Sequence, residues 1–205
     1  MMELGGMTVV SLAARRLMNT GLEVMIATSD RTEDDLIESE ARKCGCGVFR
    51  GSLNDVLGRF YRAVEALPSD TTLIRATADN VFPDGAFVDQ LLAEYLEGES
   101  SYLYANGPES DLPDGLKVEI FSRRDLEEAF LRAESEYDRE HVTPYIIRKR
   151  GNNVSDRLKG SGFGKLRSTI DTFDDYARIR KVFDRVENPV SVGYFHLCEL
   201  LQEVS

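Results

Sequence analysis

The chain has no tryptophan, and only three cysteines, two histidines and six prolines among its 205 residues. Without tryptophan, the core must be built from Leu, Val, Ile, Phe and Tyr. The cysteines, Cys44, Cys46 and Cys198, are odd in number and lack framework spacing. That excludes a disulfide-stapled scaffold and points to free thiols in a reducing compartment. Cys44-Gly-Cys46 has only His141 and His196 as further soft ligands, which argues against a zinc site. No apolar run approaches the roughly 20 residues needed to cross a bilayer. Met1–Gly6 lacks the basic stretch and apolar run of a signal peptide. A cytoplasmic protein with no membrane partner is expected. Positive charge is also scarce: 25 Lys and Arg face 36 Asp and Glu, a net charge of −11. This excludes the broad basic footprint of a nucleic-acid binder. It does not exclude a nucleotide, because a pocket can be locally basic or can bind phosphates through a metal ion.

The length suits one α/β domain, and a 42% hydrophobic content suffices for a real core. Apolar spacing predicts a helix over Thr8–Thr20, stopped by Gly21. The continuous run Leu22–Thr28 predicts a strand buried on both faces. Further helices are expected at Asp34–Cys44, Asn54–Ala66, Phe87–Leu96, Arg124–Glu134, His141–Lys149, Thr172–Val186 and Val192–Glu203. Further strands are expected at Gly47–Arg50, Thr72–Ala76, Ser101–Ala105 and Lys117–Phe121. Asn152–Leu158 is ambiguous, and Gly160–Gly164 predicts a flexible loop. Alternating strands and helices predict a mostly parallel sheet flanked by helices, with ligands at the carboxyl ends of its strands.

Residues just after strands are therefore the first candidates. Asp79 follows the strand Thr72–Ala76, and Asp171 follows the stretch Leu166–Ile170. Two carboxylates brought together there can hold a divalent cation. Each also has a plain alternative: Asp79 as a turn-former before Asn80 and Pro83, Asp171 as a helix cap. Arg75, charged inside a strand, needs a partner, either an anionic ligand or a carboxylate. Gly51-Ser52 followed by Asp55 places small residues and a hydroxyl at a helix amino terminus, suited to a polar base edge or an anion and equally to an ordinary cap. Asp114-Gly115 is a tight turn by default. His141, in Arg139-Glu140-His141, is a proton carrier or a structural donor.

In order, six stretches resemble the cytidylyltransferase family, in its spore-coat polysaccharide (SpsF-like) branch, related to acylneuraminate and 3-deoxy-manno-octulosonate cytidylyltransferases. They are LEVMIATSDRTEDD from Leu22, VFRGSLNDVLGRF from Val48, IRATAD from Ile74, PDGLKVEIFS from Pro113, REHVTPYI from Arg139 and LRSTIDTFDDY from Leu166. The resemblance implies a Rossmann-related, GT-A-like sheet. It implies an enzyme that uses CTP, a sialic-acid-like or related sugar and Mg2+, releases pyrophosphate and forms a CMP-sugar for surface polysaccharide. It implies Asp79 and Asp171 as metal ligands, with Arg75 beside them, and the region of Arg50, Ser52 and Asp55 near the nucleotide. It implies Asp114, Glu119, Arg139, His141 and Thr143 on the sugar side. It also suggests a homodimer, with a small sugar-side or dimerisation excursion around residues 101–122 of a single domain.

The departures are specific. Ala78 stands where the family has glycine, and Asn80-Val81 where it has Cys-Pro. Lys117 replaces an acidic residue of the DGLDVE pattern. Glu3-Leu4-Gly5-Gly6 matches the segment just after the family's first strand and its triphosphate-gripping loop, so that strand is expected to be missing from the sheet. These departures motivate a second reading, an impaired homologue acting as a nucleotide- or sugar-binding or interaction subunit. A GT-A glycosyltransferase is a third, but Thr77-Ala78-Asp79 keeps only the last member of its Asp-x-Asp motif.

Overall fold

A computed structural model describes residues 1–106 and 110–205. The chain opens with a hairpin of two-residue strands, β1 (Glu3–Leu4) and β2 (Met7–Thr8). Both linking glycines have positive φ, 55° for Gly5 and 76° for Gly6, as a two-residue hairpin turn requires. A Cβ on Gly5 would stand 2.6 Å from the Pro189 side chain. Helix α1 (Val9–Leu17) follows, and Gly21 closes its final turn at φ 94°, as expected.

Strand β3 (Met25–Ser29), helix α2 (Asp35–Lys43) and strand β4 (Gly47–Gly51) form a βαβ unit with parallel pairing from Met25↔Gly47 to Ser29↔Gly51. Helix α3 (Val56–Val64), strand β5 (Thr72–Ala76) and helix α4 (Gly85–Glu97) come next. Strands β6 (Tyr102–Tyr104) and β7 (Val118–Ser122) complete a sheet of order β5-β7-β6, antiparallel at both pairings. Parallel bridges also join Tyr104 to Val154 and Asp114 to Arg167. Five helices finish the described chain: α5 (Arg123–Arg132), α6 (Glu136–His141), α7 (Pro144–Arg150), α8 (Phe173–Phe183) and α9 (Tyr194–Val204). The architecture is the expected α/β fold, but among the named strands parallel pairing is confined to β3–β4, rather than running through one mostly parallel sheet. Part of the expected excursion, residues 107–109, lies outside the described residues.

Three expectations need correction. The apolar run at Leu22 does not make a strand buried on both faces. The strand starts at Met25, which is 50% exposed, and among the described residues it pairs only with β4. Leu22 and Val24 instead pack against the main core and the α1–α2 cluster, respectively. The helix expected over His141–Lys149 begins only at Pro144, and His141 ends a separate, unexpected helix, α6, before a turn at Val142. The Gly160–Gly164 loop is tied down: the Asp111 carboxylate accepts from the N–H groups of Gly162 and Gly164, at 2.9 and 3.1 Å. Phe163 within it is buried against Phe195.

The alternation of β7 explains the layering. Val118 and Ile120 face a core built from α1, α4, α8 and α9. Phe121 faces a second core with α3, α5 and α7, and Glu119, its neighbour by alternation, lies on that same side. A third, small cluster sits between α1, α2 and the β3–β4 ribbon.

Arg16 of α1 is fully buried. It donates from Nη1 to the carbonyls of Pro189 (2.7 Å) and Val192 (2.8 Å), and from Nη2 to that of Phe82 (2.8 Å). The Asp84 carboxylate lies 3.5 Å away and also accepts from the N–H groups of Phe87 and Tyr194. Burial lowers the Arg16 pKa to about 10, with Asp84 opposing the shift. Replacing Arg16 by Met should destabilise the protein by about 3–5 kcal/mol, because three carbonyls and a carboxylate lose their cation in a dry site. The expected fall in melting temperature is roughly 10 °C or more, and an unchanged melting temperature would contradict the assignment.

Candidate functional site

Strand β5 ends in a tight turn, in which the Asn80 N–H donates to the Thr77 carbonyl (3.1 Å) and Asn80 Nδ2 to Thr77 Oγ1 (2.7 Å). Asn80 bridges antiparallel to Thr169, and the Ile170 N–H donates to the Asp79 carbonyl at 3.0 Å. Asp79 is thus locked beside the segment that leads into α8, one residue from Asp171. Asp79 occupies a central position of this turn, as its plain alternative expected, whereas the helix-cap role considered for Asp171 belongs to its neighbour. Thr77 and Asn80 make the side-chain bond of the turn. Thr172 caps α8 through a capping box with Asp175. Oδ1 of Asp79 is buried without a hydrogen-bond partner among the described residues, an arrangement that ordinarily carries a penalty.

Asp171 is half exposed and pairs with Arg167. Arg167 spreads over three carboxylates: Nη2 on Asp171, Nη1 on Asp114 at 2.8 Å and Nε on Asp175 at 3.2 Å. These bonds, that with Asp175 foremost, raise the Arg167 pKa. Asp175 accepts further bonds from Thr172 and Arg178, which hold its carboxyl well below the usual carboxylate range against the opposing effect of burial. Asp114 lies in the expected tight turn and also pairs with Lys117. Gly115 in that turn has φ 119°, and a Cβ there would meet the Thr169 nitrogen at 2.5 Å. Only glycine permits this approach of the turn to the Asp79–Asp171 region. Asp114 and Lys117 line a cavity of about 460 Å³ with Tyr104, Asn106, Asp111 and Lys165.

Arg75 finds a carboxylate. It stands opposite Glu119 in the β5–β7 register, pairs with its Oε2 and lies over the Phe60 ring at 5.6 Å. Glu119 is 7% exposed, and its Oε1 accepts from Tyr102 Oη (2.7 Å) and Thr143 Oγ1 (2.6 Å). Thr143 is presented by a strained turn. Val142 is buried at φ 72°, ψ −56°, and the Thr143 N–H donates to the His141 carbonyl at 2.9 Å. This is a γ-turn that a β-branched residue adopts at a cost of about 1–3 kcal/mol. Burial and the Glu119 carboxylate raise the pKa of Tyr102 beyond the normal tyrosine range.

The Arg50–Asp55 region forms a third group. Arg50 donates to the carbonyls of Ser29 and Arg31 and pairs with Asp35 and Glu38, tying the ends of β3 and β4 to α2. Asp55, rather than Ser52, caps α3: its Oδ1 accepts from the Gly58 N–H at 3.0 Å, while Ser52 Oγ accepts from the Asp55 N–H. The other oxygen of Asp55 pairs with Arg139 at 3.0 Å, joining the expected nucleotide side to the expected sugar side. His141 is exposed and its ring packs on Tyr137.

Sequence reasoning missed Arg59 and Arg167. Arg59 is half-buried, with Nη1 on the Ser52 carbonyl and Nε without a partner among the described residues, and burial lowers its pKa. Its place one turn beyond the Asp55 cap was the available signal. Replacing Glu119 by Ala should destabilise the protein by about 3 kcal/mol by stranding Arg75. Replacing Thr143 by Val should cost about 1 kcal/mol. Urea unfolding measures both, and equal midpoints for the three proteins would refute the network's structural weight.

Known proteins align with this chain along most of its length. The family described as Cytidylyltransferase matches residues 1–189. An uncharacterized protein of Methanocaldococcus jannaschii is 30% identical over 197 residues, covering 91% of this chain and 78% of that protein. The spore coat polysaccharide biosynthesis protein SpsF of Bacillus subtilis is 31% identical over 183 residues, covering 87% and 74%. Among solved structures, a cytidylyltransferase from Leptospira borgpetersenii superposes with a TM-score of 0.86 at 25% identity, over 98% of this chain and 86% of that one. The 4-diphosphocytidyl-2C-methyl-D-erythritol synthase of Anaerococcus prevotii shares the fold, with a TM-score of 0.57 at 11% identity over 89% and 88% of the two chains. With the match to the family spanning all but its last residues, this chain belongs to the cytidylyltransferase family.

Proposed function

We propose that the chain transfers CMP from CTP to a sugar, sialic-acid-like or related, in the synthesis of surface polysaccharide. An oxygen of the sugar forms a bond to the α-phosphorus of CTP. The bond from that phosphorus to the bridging oxygen breaks, and pyrophosphate leaves with the electron pair. The observation that carries this reading is the juxtaposition of Asp79 and Asp171, with Oδ1 of Asp79 buried and unpartnered.

That donor set suits Mg2+, which prefers hard oxygen ligands and is commonly held by one or two carboxylates, with substrate phosphates and water completing its shell. Among the described residues no group of three or more His, Cys, Asp or Glu could hold a metal by itself, so Asp79 and Asp171 would need substrate oxygens and water to complete the shell. When bound, the ion takes up negative charge on the phosphoryl oxygens.

The chain's own groups supply the rest of the site. Ser52 and the α3 amino terminus, fixed by the Asp55 cap, offer polar groups to the nucleotide, with the Arg59 cation close by. The Arg75–Glu119–Thr143 network holds β5 and β7 in register beneath the Asp79 turn. The cavity lined by Asp114, Lys117 and Asn106 is the natural place for the sugar, because Asp114 is linked through Arg167 to Asp171. The name of the Bacillus subtilis relative, a spore coat polysaccharide biosynthesis protein, supports the polysaccharide part of this reading; a cytoplasmic homodimer is part of the proposal. Among the described residues no helix is long and apolar enough to cross a membrane.

The test is pyrophosphate release from CTP and Mg2+ with a panel of sialic-acid-like sugars. Sugar-dependent release is expected, and Asp79→Asn and Asp171→Asn should each lower it about a hundredfold or more. Absence of release, with CTP and CMP binding equally well, would overturn the transferase reading in favour of a nucleotide-binding subunit.

A further inference from the structure

The Arg167 guanidinium is the only hydrogen-bonding or ionic side-chain partner of the Asp171 carboxylate among the described residues. The other two acids that Arg167 touches are not so dependent on it. Asp114 has Lys117 as a second cation, and Asp175 has Arg178, the Thr172 hydroxyl and the Thr172 N–H. The backbone around Arg167 is fixed on both sides: the Asp114 N–H donates to the Leu166 carbonyl (2.9 Å), and the Ser168 N–H to the Asp114 carbonyl (2.6 Å). The side chain is 42% exposed. The half-exposed Asp171 carboxylate can therefore turn away from Nη2 while the guanidinium keeps its bonds to Asp114 and Asp175.

We infer that Arg167 is an internal counter-ion that occupies Asp171 until a divalent cation displaces it. This rests on the metal reading given above. A guanidinium and a divalent ion cannot both neutralise the same half-exposed carboxylate, so each weakens the other's hold. Displacement frees Nη2 beside the cation, where an arriving phosphate can accept its hydrogen bonds. Nη1 still holds Asp114 on the cavity wall. The linkage is reciprocal: whatever draws Arg167 away from Asp171 also favours the cation. Lysine at this position would lack the three-way fork.

The test is binding of Mn2+ alone to the full chain, read from the free-ion electron paramagnetic resonance signal with no nucleotide or sugar present. Arg167→Gln, which keeps the length and removes the charge, should bind Mn2+ roughly fivefold more tightly than the unaltered chain, the scale of one exposed ion pair. A misfolded site would bind the ion less tightly, so the sign separates the two causes. Arg157→Gln removes the same charge far from Asp171, where Arg157 pairs with Glu97, and should leave the affinity unchanged. Equal or weaker binding by Arg167→Gln, or equal tightening by Arg157→Gln, would overturn the inference alone. No Mn2+ binding by the unaltered chain alone would overturn this inference, and none with CTP present either would overturn the metal reading as well.

Discussion

A full positive charge with no water around it organises the middle of this protein. Arg16 leaves α1 and reaches three carbonyls and a carboxylate, drawn from the loop after β5 and from the segment between α8 and α9. Desolvating a guanidinium is costly, and the cost is offset only if its donors are satisfied and a carboxylate stands near. Those partners come from residues 66 or more positions away in sequence, so the bond pattern forms only when the elements are correctly assembled. The loop it fixes, Phe82–Asp84, follows directly on Asp79 and Asn80. The rigidity that aims Asp79 is thus inherited from a buried ion on the first helix.

In the Asp79–Asp171 region chemically similar residues take different structural roles. Asx and Thr residues favour turns and caps, and this stretch is full of them. The turn bond goes to Asn80 and Thr77, and the α8 cap goes to Thr172 and Asp175. Two carboxylates remain that the fold does not consume in this way, and they are neighbours through the Ile170–Asp79 backbone bond. A cation supplied by the protein, Arg167, rests on one of them. The strained Val142 turn belongs to the same economy of positions, since it delivers the Thr143 hydroxyl to a carboxylate that already balances Arg75.

Much of this was legible in the sequence. The strand Thr72–Ala76 is found with the expected limits, and Gly21 ends the first helix as its tolerance of positive φ predicts. The positions of Asp79, after β5, and of Asp171, before α8, agree with the sequence reading, and Arg75 finds the carboxylate partner that a charge inside a strand needs. The partners themselves were not. Arg16 binds backbone carbonyls, which every residue has and no sequence pattern marks. Arg50 is charged and well placed for a nucleotide, yet its guanidinium ties β3, β4 and α2 together. The helix break before Pro144 has a local cause, since proline cannot continue a helix but suits the start of one, whereas the positive φ at Val142, which valine disfavours, accompanies the delivery of Thr143 to Glu119. The pinning of Gly160–Gly164 by Asp111 is likewise a contact across about fifty residues, beyond the reach of composition.

The account's central claim is that Asp79 and Asp171 together hold the cation of nucleotidyl transfer. Crystals grown with Mn2+ and a non-hydrolysable CTP analogue, measured for anomalous scattering by the metal, test it most directly. The account predicts an anomalous peak within coordination distance of carboxylate oxygens from both residues and of the analogue's phosphates. A peak that touches neither aspartate, with the analogue bound, would contradict it.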